Sequence, residues 1–302
     1  MARTDRAATE RRNPRSRDLD RMTSLETVRF INEEDRKIAS VISKEAKRIA
    51  WIVDNVVKAL REDGRVFYVG AGTSGRLGVL DATEVPSTFG LPRTAFQGII
   101  AGGWRALRRS IEGAEDDRNA AEAQLERTGF CKRDILIGLS ASGRTPFVLA
   151  AMRKAGRIGA RCYGITCNPS SEMARVTDVI VTLRVGPEVL AGSSRMKCGT
   201  AQKMVLNIIS TASMIRLGRA QRGLMTHVQP RSQKLQRRAV RIISEVAEVD
   251  LASAEKALAR AKGDVKTAAL MLRLGVSAKR GKEIIFNSRR TAERIHSLIQ
   301  AR

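Results

Sequence analysis

The stretch that decides the fold of this 302-residue chain is Val66-Phe67-Tyr68-Val69-Gly70-Ala71-Gly72-Thr73-Ser74-Gly75-Arg76. It opens with β-branched and aromatic residues that do not alternate with polar ones, a pattern that predicts a short strand buried on both faces. It closes as a loop rich in glycine and hydroxyl groups, and the proline-free residues 77–82 after it predict a helix. Such a loop presents backbone N–H groups at a helix N-terminus, so phosphate is the expected ligand.

The same loop has other interpretations. Gly70, Gly72 and Gly75 satisfy the G-x-G-x-x-G spacing of dinucleotide-binding proteins. However, residues 97–100 contain no acidic residue that could bind a ribose. A nucleotide P-loop needs Gly-Lys followed by Ser or Thr, whereas Gly75 is followed by Arg76. A tight strand-to-helix turn without a ligand stays open on these residues alone.

A second copy of the same design lies further along the chain. Residues 134–139 form another buried-strand pattern and end in Ser140-Ala141-Ser142-Gly143-Arg144-Thr145-Pro146, and a helical run follows at residues 147–155. Further strands are predicted around residue 99, after residue 161 and at residues 179–183. Two strand, loop and helix units in tandem predict an α/β fold with a parallel sheet whose loops converge at one edge.

The remaining segments suggest a division into residues 1–56, 57–220 and 221–302. Polar, Arg-rich residues 1–25 are predicted to be disordered by composition, and residues 24–60 carry apolar residues at the spacing of two helices. Residues 198–217 predict one long helix, and residues 232–302 predict several amphipathic helices.

Composition limits the function classes. The net charge is +24, but the basic excess is spread along the chain and aromatic residues make up only 4%, which disfavours a nucleic-acid-binding function and favours steering of an anionic substrate. No apolar run is long enough for a membrane span or signal peptide, so a soluble, cytoplasmic protein is expected. Four cysteines without C-x-x-C spacing and two histidines disfavour a metal site, and no cofactor is expected.

Four polar residues have two interpretations each. Glu84 lies two residues before Pro86, near an expected helix end, and is either a site residue or a plain surface carboxylate. Glu115 lies in an acidic cluster, and its spacing favours a helix N-terminus over a site role. Ser193 and Ser194 precede the long helix, where they either cap it or offer donors to an anion.

Four segments carry a resemblance to a known family. Residues 67–84, 113–117, 141–146 and 190–197 resemble those of N-acetylmuramic acid 6-phosphate etherases, bacterial enzymes built on the sugar isomerase (SIS) domain. The resemblance extends from Thr9-Glu10-Arg11-Arg12-Asn13 through residues 199–207 and, more loosely, into the C-terminal helices. It implies a SIS-type three-layer sandwich around a central parallel sheet, with N-terminal helices and a C-terminal helical appendage. It also implies that the N-terminal arm belongs to the functional protein.

The activity implied by this resemblance is a carbon–oxygen lyase reaction in amino sugar catabolism and cell-wall recycling. Such enzymes cleave the D-lactyl ether at C3 of N-acetylmuramic acid 6-phosphate, giving N-acetylglucosamine 6-phosphate and D-lactate. The family's two catalytic acids correspond to Glu84 and Glu115. As a hypothesis, Glu84 is the acid toward the lactyl oxygen and Glu115 the base at C2, and the opposite assignment stays open.

The resemblance further implies a homodimer whose sites can borrow residues across the interface, and it implies a set of ligand-binding residues. The hydroxyl loops are expected to hold the 6-phosphate and line the sugar, while the segment before the long helix meets the phosphate or the lactyl carboxylate. The residues concerned are Thr73, Ser74, Gly75, Ser140, Ser142, Gly143, Thr145, Ser193, Arg195 and Lys197.

Departures from the family pattern occur at Thr226, His227 and Ser232, and they leave the acid pair intact. Three rival functions remain. A sugar-phosphate sensor such as the glucokinase regulatory protein would not need both acids. A SIS-type transcription regulator would need an N-terminal helix-turn-helix, which residues 24–60 do not suggest. An aldose–ketose isomerase would also need a base at C2.

Overall fold

The computed structural model describes residues 8–220, 223–225, 227–228, 230 and 232–288. Within them the chain forms two compact units, one of residues 8–83 and 93–212 and the other of residues 84–92 and 213–288. Packing defines these two units. The division at residues 56 and 220 was based on sequence patterns, and it stays a prediction.

The regular elements of the described chain alternate between strands and helices after an all-helical start. The strands are β1 (Val66–Gly70), β2 (Phe96–Ile100), β3 (Ile135–Leu139), β4 (Arg161–Thr166) and β5 (Val179–Thr182). The helices are α1 (Ser24–Asp35), α2 (Lys37–Lys44), α3 (Ala46–Arg61), α4 (Gly72–Phe89), α5 (Arg118–Arg127), α6 (Pro146–Ile158), α7 (Lys197–Arg216), α8 (Gln233–Ala247), α9 (Leu251–Arg260), α10 (Val265–Leu274) and α11 (Ala278–Ser288).

The five strands form one parallel sheet in the order β2-β1-β3-β4-β5, which confirms the predicted α/β class. β1 and β3 are central, and every residue in both is buried. This burial on both faces explains why their sequences lack polar alternation. The strand order reverses between β1 and β3, and ligands of open parallel sheets bind outside the strand ends at such a point.

Successive residues of each central strand face opposite layers. Phe67 and Leu136 pack in a cluster with Phe147 and Met152 of α6 on one face. On the other face, the hydroxyl of Tyr68 donates to Asp81 of α4 at 3.0 Å. Helices therefore cover both faces, which gives the three-layer arrangement of the predicted fold.

The N-terminal arm is ordered from residue 8 onward, so the disorder predicted from composition is wrong for residues 8–25, while residues 1–7 lie outside the described chain. Three short 3-10 turns occur there, and Thr9 and Asn13 are buried. The Asn13 side chain accepts the backbone N–H of Arg15 at 3.0 Å. Composition failed here because the polar side chains find partners in distant parts of the chain.

The segment predicted as two helices forms three, α1, α2 and α3, with breaks at Arg36 and Glu45. Thr23 and Glu26 begin α1 with a reciprocal capping box. Arg36 keeps right-handed helical dihedral angles, and apolar spacing continues through both breaks. Periodicity alone therefore did not separate the helices.

The second unit contains the ends of α4 and α7 together with α8 to α11. Its core consists largely of alanine, valine and isoleucine, such as Ala239, Ile243, Ala254 and Ala268. Side chains of Ser232, Asp250 and Asp264 cap α8, α9 and α10. The predicted amphipathic helices are thus confirmed for residues 232–288, and residues 289–302 lie outside the described chain. Among the described residues, no helix combines the length and apolar character needed to cross a membrane.

Candidate active site

The first predicted loop lies where β1 turns into α4, but its hydroxyl groups belong to the helix. α4 begins at Gly72, so Thr73, Ser74 and Gly75 form its first turn, which corrects the expected start near residue 77. An added Cβ on Gly75 would lie 2.6 Å from the carbonyl oxygen of Gly70. This close approach fixes the helix start against the strand end, so the glycine spacing reflects packing as well as ligand access.

The second predicted loop forms a cluster of hydroxyl groups between β3 and α6. Ser140 Oγ lies 2.8 Å from Thr145 Oγ1 and 3.4 Å from Ser142 Oγ, and it accepts the backbone N–H of Gly143 at 3.0 Å. Thr145 occupies the N-cap position of α6, but its side chain does not cap the helix. The structure thus brings together three of the predicted phosphate-binding hydroxyls beside a helix N-terminus, an arrangement suited to an anion.

Residues that follow β4 hold this hydroxyl cluster from behind. Asn168 Nδ2 donates to the carbonyl oxygen of Ser142 at 3.0 Å, and Ser171 Oγ donates to that of Gly143 at 3.2 Å. Gly143 has a φ of +67°, and an added Cβ would lie 1.9 Å from Ser171 Oγ. Sequence reasoning missed both supporting residues, although the Asn168-Pro169 turn after a predicted strand was a visible signal.

β1 and β3 are paired through their last residues, with Gly70 opposite Leu139, so the two loops leave adjacent strand ends. α7 lies beside the first of them, because Ser74 Oγ donates to Gln202 Oε1 at 2.7 Å. Gln202 is fully buried, and its Nε2 has no hydrogen-bond partner among the described residues. An added Cβ on Gly199 would contact Thr73. The start of α7 therefore forms one wall beside the first turn of α4.

The segment before α7 differs from the prediction in two respects. The buried carboxylate of Glu188 accepts the backbone N–H groups of Lys197 at 3.0 Å and Cys198 at 2.9 Å. Glu188, and not Ser193 or Ser194, therefore caps α7. A carboxylate already occupies this helix N-terminus, so it is not available to a phosphate.

Lys197 is the second correction, since it does not extend into open space toward a ligand. Its side chain is 2% exposed, and its Nζ donates at 2.6 Å to Glu34, whose side chain is also 2% exposed. Lys37 and Arg15 bind the other oxygen of the same carboxylate. Burial raises the pKa of Glu34, but the hydrogen bonds and charges of Lys197 and Lys37 outweigh it and bring the pKa from 4.5 to about 2. Arg195, by contrast, is exposed and forms no ion pair within the described part of the chain.

Glu84 lies on α4 with an exposed side chain. The helix does not end at Pro86, as expected, but continues to Phe89. Val85 and Phe89 are buried in this last stretch. Burial of these two side chains outweighs the loss of one backbone hydrogen bond at the proline. Glu84 thus lies within a helix and not at its end.

Glu115 lies in the 3-10 turn Ala114–Asp116, also with an exposed side chain. Gly113 precedes the turn in the left-handed region with a φ of +70°. Asp117 caps α5 by accepting the backbone N–H of Ala120, so the helix N-terminus uses Asp117 and leaves Glu115 available. Glu115 belongs to the first compact unit and Glu84 to the second. No group of three or more potential metal ligands occurs within the described ranges.

Comparisons with known proteins agree with this architecture. Residues 48–155 match the family model of the glucokinase regulatory protein N-terminal SIS domain, and residues 129–212 match that of the SIS domain. A phosphoheptose isomerase from Francisella tularensis superposes with a TM-score of 0.50 at 17% identity, covering 64% of this chain and 100% of that one. At this identity the likeness concerns the fold alone.

Curated relatives are far more similar in sequence. An N-acetylmuramic acid 6-phosphate etherase from Geobacillus sp. (strain WCH70) is 46% identical over 92% of this chain and 95% of its own. An enzyme of the same name from Edwardsiella ictaluri (strain 93-146) is 46% identical over 93% of this chain and 94% of its own. A third, from Actinobacillus pleuropneumoniae serotype 5b (strain L20), is 47% identical over 87% of both chains.

Proposed function

This chain belongs to the N-acetylmuramic acid 6-phosphate etherase family, and from that membership we propose that it cleaves the D-lactyl ether at C3 of N-acetylmuramic acid 6-phosphate. The products are N-acetylglucosamine 6-phosphate and D-lactate. The observation that carries the proposal is the 46% identity to a curated etherase over 92% of the chain. The hydroxyl cluster at the switch point of the sheet supports it, because a sugar phosphate needs such a set of donors.

The proposed reaction is an elimination followed by an addition. In the ring-opened sugar, Glu115 removes the proton from C2, which is acidic because the C1 aldehyde accepts the electron pair as an enolate. The enolate re-forms the carbonyl and expels the lactyl oxygen from C3, and Glu84 gives that oxygen a proton. Water then adds to C3 of the unsaturated aldehyde, and C2 recovers a proton. Glu84, left as a carboxylate, takes a proton from the attacking water, and Glu115 returns its proton to C2, so both groups end as they began, which is ordinary general acid–base chemistry.

The phosphate is proposed to bind Ser140, Ser142 and Thr145 together with the backbone around Gly143. The hydroxyl groups of Ser142 and Thr145 lie 3.4 Å and 2.8 Å from Ser140 Oγ, so the three donors are close enough to converge on one phosphate group. The first turn of α4, with Thr73, Ser74 and Gly75, lines the sugar side. Ser193 and Arg195 then meet the lactyl carboxylate, for which an exposed guanidinium is a suitable partner.

A homodimer is part of this proposal, for a geometric reason within α4. Glu84 lies about 18 Å along the helix from Gly72, by the rise of an α-helix, which exceeds the length of a hexose 6-phosphate. Glu115 lies in a turn that packs against α6, whose N-terminus adjoins the hydroxyl cluster. We therefore propose that Glu115 acts on the substrate of its own chain and Glu84 on that of the partner.

Exposed apolar side chains mark a surface for the second copy. Leu80 of α4 is 47% exposed and Ile208 of α7 is 39% exposed. Each is adjacent in sequence to a partner of the 2.7 Å hydrogen bond between Asn207 and Asp81, which joins the two helices. A second copy that covers these residues would bury apolar surface that a single chain leaves exposed.

The experiment that tests the activity measures D-lactate release from N-acetylmuramic acid 6-phosphate by the purified protein and by Glu84→Gln and Glu115→Gln. We expect release by the wild type and a loss of at least about a hundredfold in each variant. Calorimetric titration with the substrate checks that both variants still bind it. A wild type that binds the sugar phosphate but releases no lactate would instead indicate a sensor.

Mixing the two inactive variants tests the exchange of residues between subunits. After unfolding and refolding together, a dimer of Glu84→Gln with Glu115→Gln retains one site in which both acids are wild type. Random assortment should then restore about a quarter of the wild-type activity. If both acids act within one chain, the mixture stays inactive, and a monomer in sedimentation would contradict the dimer itself.

A further inference from the structure

The segment that carries Ser193 and Arg195 is attached to the rest of the protein at both ends. The backbone N–H of Gly192 donates to the carbonyl oxygen of Thr9 in the N-terminal arm at 3.0 Å. At the other end, Lys197 begins α7 immediately after the segment. We call residues 190–196 the substrate segment. Its conformation therefore depends on where the arm and the start of α7 are fixed.

The carboxylate of Glu34 binds both the N-terminal arm and the start of α7. Glu34 Oε2 accepts Lys197 Nζ at 2.6 Å, and Glu34 Oε1 accepts Arg15 Nη1 at 3.1 Å. Arg15 belongs to the same arm that supplies Thr9, and its guanidinium also lies over the Phe30 ring of α1. The carboxylate thus joins the arm, α1 and the start of α7, which are far apart in sequence.

The charges around this junction are balanced. Lys37 adds a third cation to Glu34 at 2.5 Å, while Glu33 takes a second hydrogen bond from Arg15 at 2.6 Å. The charge of Lys197 also acts on Asp35. Only Glu34 and Lys197 of this group have side chains that are 2% exposed, and removal of Glu34 would leave the buried Lys197 ammonium without its carboxylate.

We propose that Glu34 is a positioning residue for the etherase reaction: through its buried ion pair with Lys197 it fixes the substrate segment so that Ser193 and Arg195 meet the substrate. This inference rests on the proposed function. Because both side chains are 2% exposed and bound to each other, we expect neither to touch the substrate, and Lys197 is assigned to this ion pair in place of an anionic group of the substrate.

A buried ion pair is a costly way to fill a core, because well-packed apolar residues of similar volume are often equally stabilising. A short, directional contact between a carboxylate and an ammonium does, however, restrict the start of α7 to one position, which an apolar contact does not. Experiment can separate the contribution of the ion pair to stability from its effect on position. Apolar residues can restore the stability of the fold, but they do not restrict the start of α7 to one position.

The test compares Glu34→Gln, Lys197→Met and the double variant Glu34→Leu/Lys197→Met with the wild type. The single variants should raise KM about tenfold or more and change kcat less than about threefold, because Ser193 and Arg195 contact unreactive parts of the substrate. Both should also melt at a lower temperature. The double variant should regain the wild-type melting temperature yet keep the raised KM.

Amide hydrogen exchange gives a readout that does not need activity. Exchange within residues 190–196 should be about tenfold faster in all three variants, because their local opening becomes easier. Glu45→Gln is the matched control, since it removes a partly buried partner of Arg48 in another ion pair, at the start of α3, and should leave KM and exchange in the segment unchanged.

The proposal is overturned if the double variant recovers the wild-type KM together with its stability, or if exchange in the segment equals that of the wild type. A wild type that releases no lactate would contradict the proposed function alone, and the exchange result would still decide the positioning role.

Discussion

Gly143→Ala is the substitution whose consequence follows most directly from the structure. Gly143 lies in the hydroxyl cluster with a φ of +67°, where a Cβ costs about 1–2 kcal/mol in backbone strain. The new Cβ would also lie 1.9 Å from Ser171 Oγ and 2.5 Å from Ser171 Cβ. Rotation of the serine moves only the first of these atoms, so the backbone must shift.

That shift breaks two hydrogen bonds that hold the loop. Ser171 Oγ donates to the carbonyl oxygen of Gly143 at 3.2 Å and accepts the backbone N–H of Met173 at 3.1 Å. Each is worth about 1 kcal/mol. With the strain, the free energy of unfolding should fall by about 3–4 kcal/mol, which for a unit of this size lowers the melting temperature by about 10 °C. Displacement of the hydroxyl groups should raise KM about tenfold.

Two other glycines separate the contributions. Gly129 has a φ of +60° but open space around its Cβ position, so Gly129→Ala should lose only about 1 kcal/mol. Gly156 is an exposed position of α6 with open space and no positive φ, so Gly156→Ala should gain about 0.5–1 kcal/mol. Calorimetric melting and initial rates of lactate release measure all three. If Gly143→Ala has the same melting temperature as Gly129→Ala and the wild-type KM, the contacts of Ser171 do not hold the hydroxyl cluster in place.

Further predictions concern the ion pairs and the cap. Because the pKa of Glu34 is lowered from 4.5 to about 2, its contribution to stability is complete above pH 4.5 and is lost as the pH falls toward 2. As the pH is lowered from 4.5 toward 2, the free energy of unfolding should therefore fall by about 3 kcal/mol less in Glu34→Gln than in the wild type. Asp134 is buried and accepts a hydrogen bond from Arg65 at 2.7 Å, so Asp134→Ala should lower the free energy of unfolding in denaturant by about 3–5 kcal/mol. A loss below about 1 kcal/mol would contradict a stabilising role for this ion pair. Glu188→Ala removes the α7 cap and should lose about 1–2 kcal/mol, with faster amide exchange at Lys197 as its specific sign.

The local sequence was sufficient to predict those elements whose structure depends on residues adjacent in the chain. The unbroken apolar runs of β1 and β3 and the glycine and hydroxyl residues after them predicted a parallel sheet with two loops at one edge, and the sheet confirms this. The catalytic residues could not be predicted from local sequence in this way. The spacing around Glu115 favoured a helix N-terminus, and only the family resemblance proposed a catalytic role for it.

The errors share a physical cause. Composition predicted a disordered arm, yet Arg15 pairs with Glu33 and Glu34 and Thr9 pairs with the segment at Gly192. A polar segment is ordered when distant groups satisfy it, and composition contains no information about those groups. The same reasoning applies to Pro86, where burial of residues around it keeps α4 helical despite an unfavourable local residue.

The sequence by itself determined the buried strands, the two loops beside them and, through close similarity to a family, the reaction. Only the tertiary structure decided which polar groups are available to a ligand. Lys197 is bound to Glu34 across 163 positions, and Ser74 to Gln202 across 128. Burial makes an unpaired charge or hydroxyl expensive, so the fold commits such groups to whichever partner packing brings near, and no local pattern records that choice.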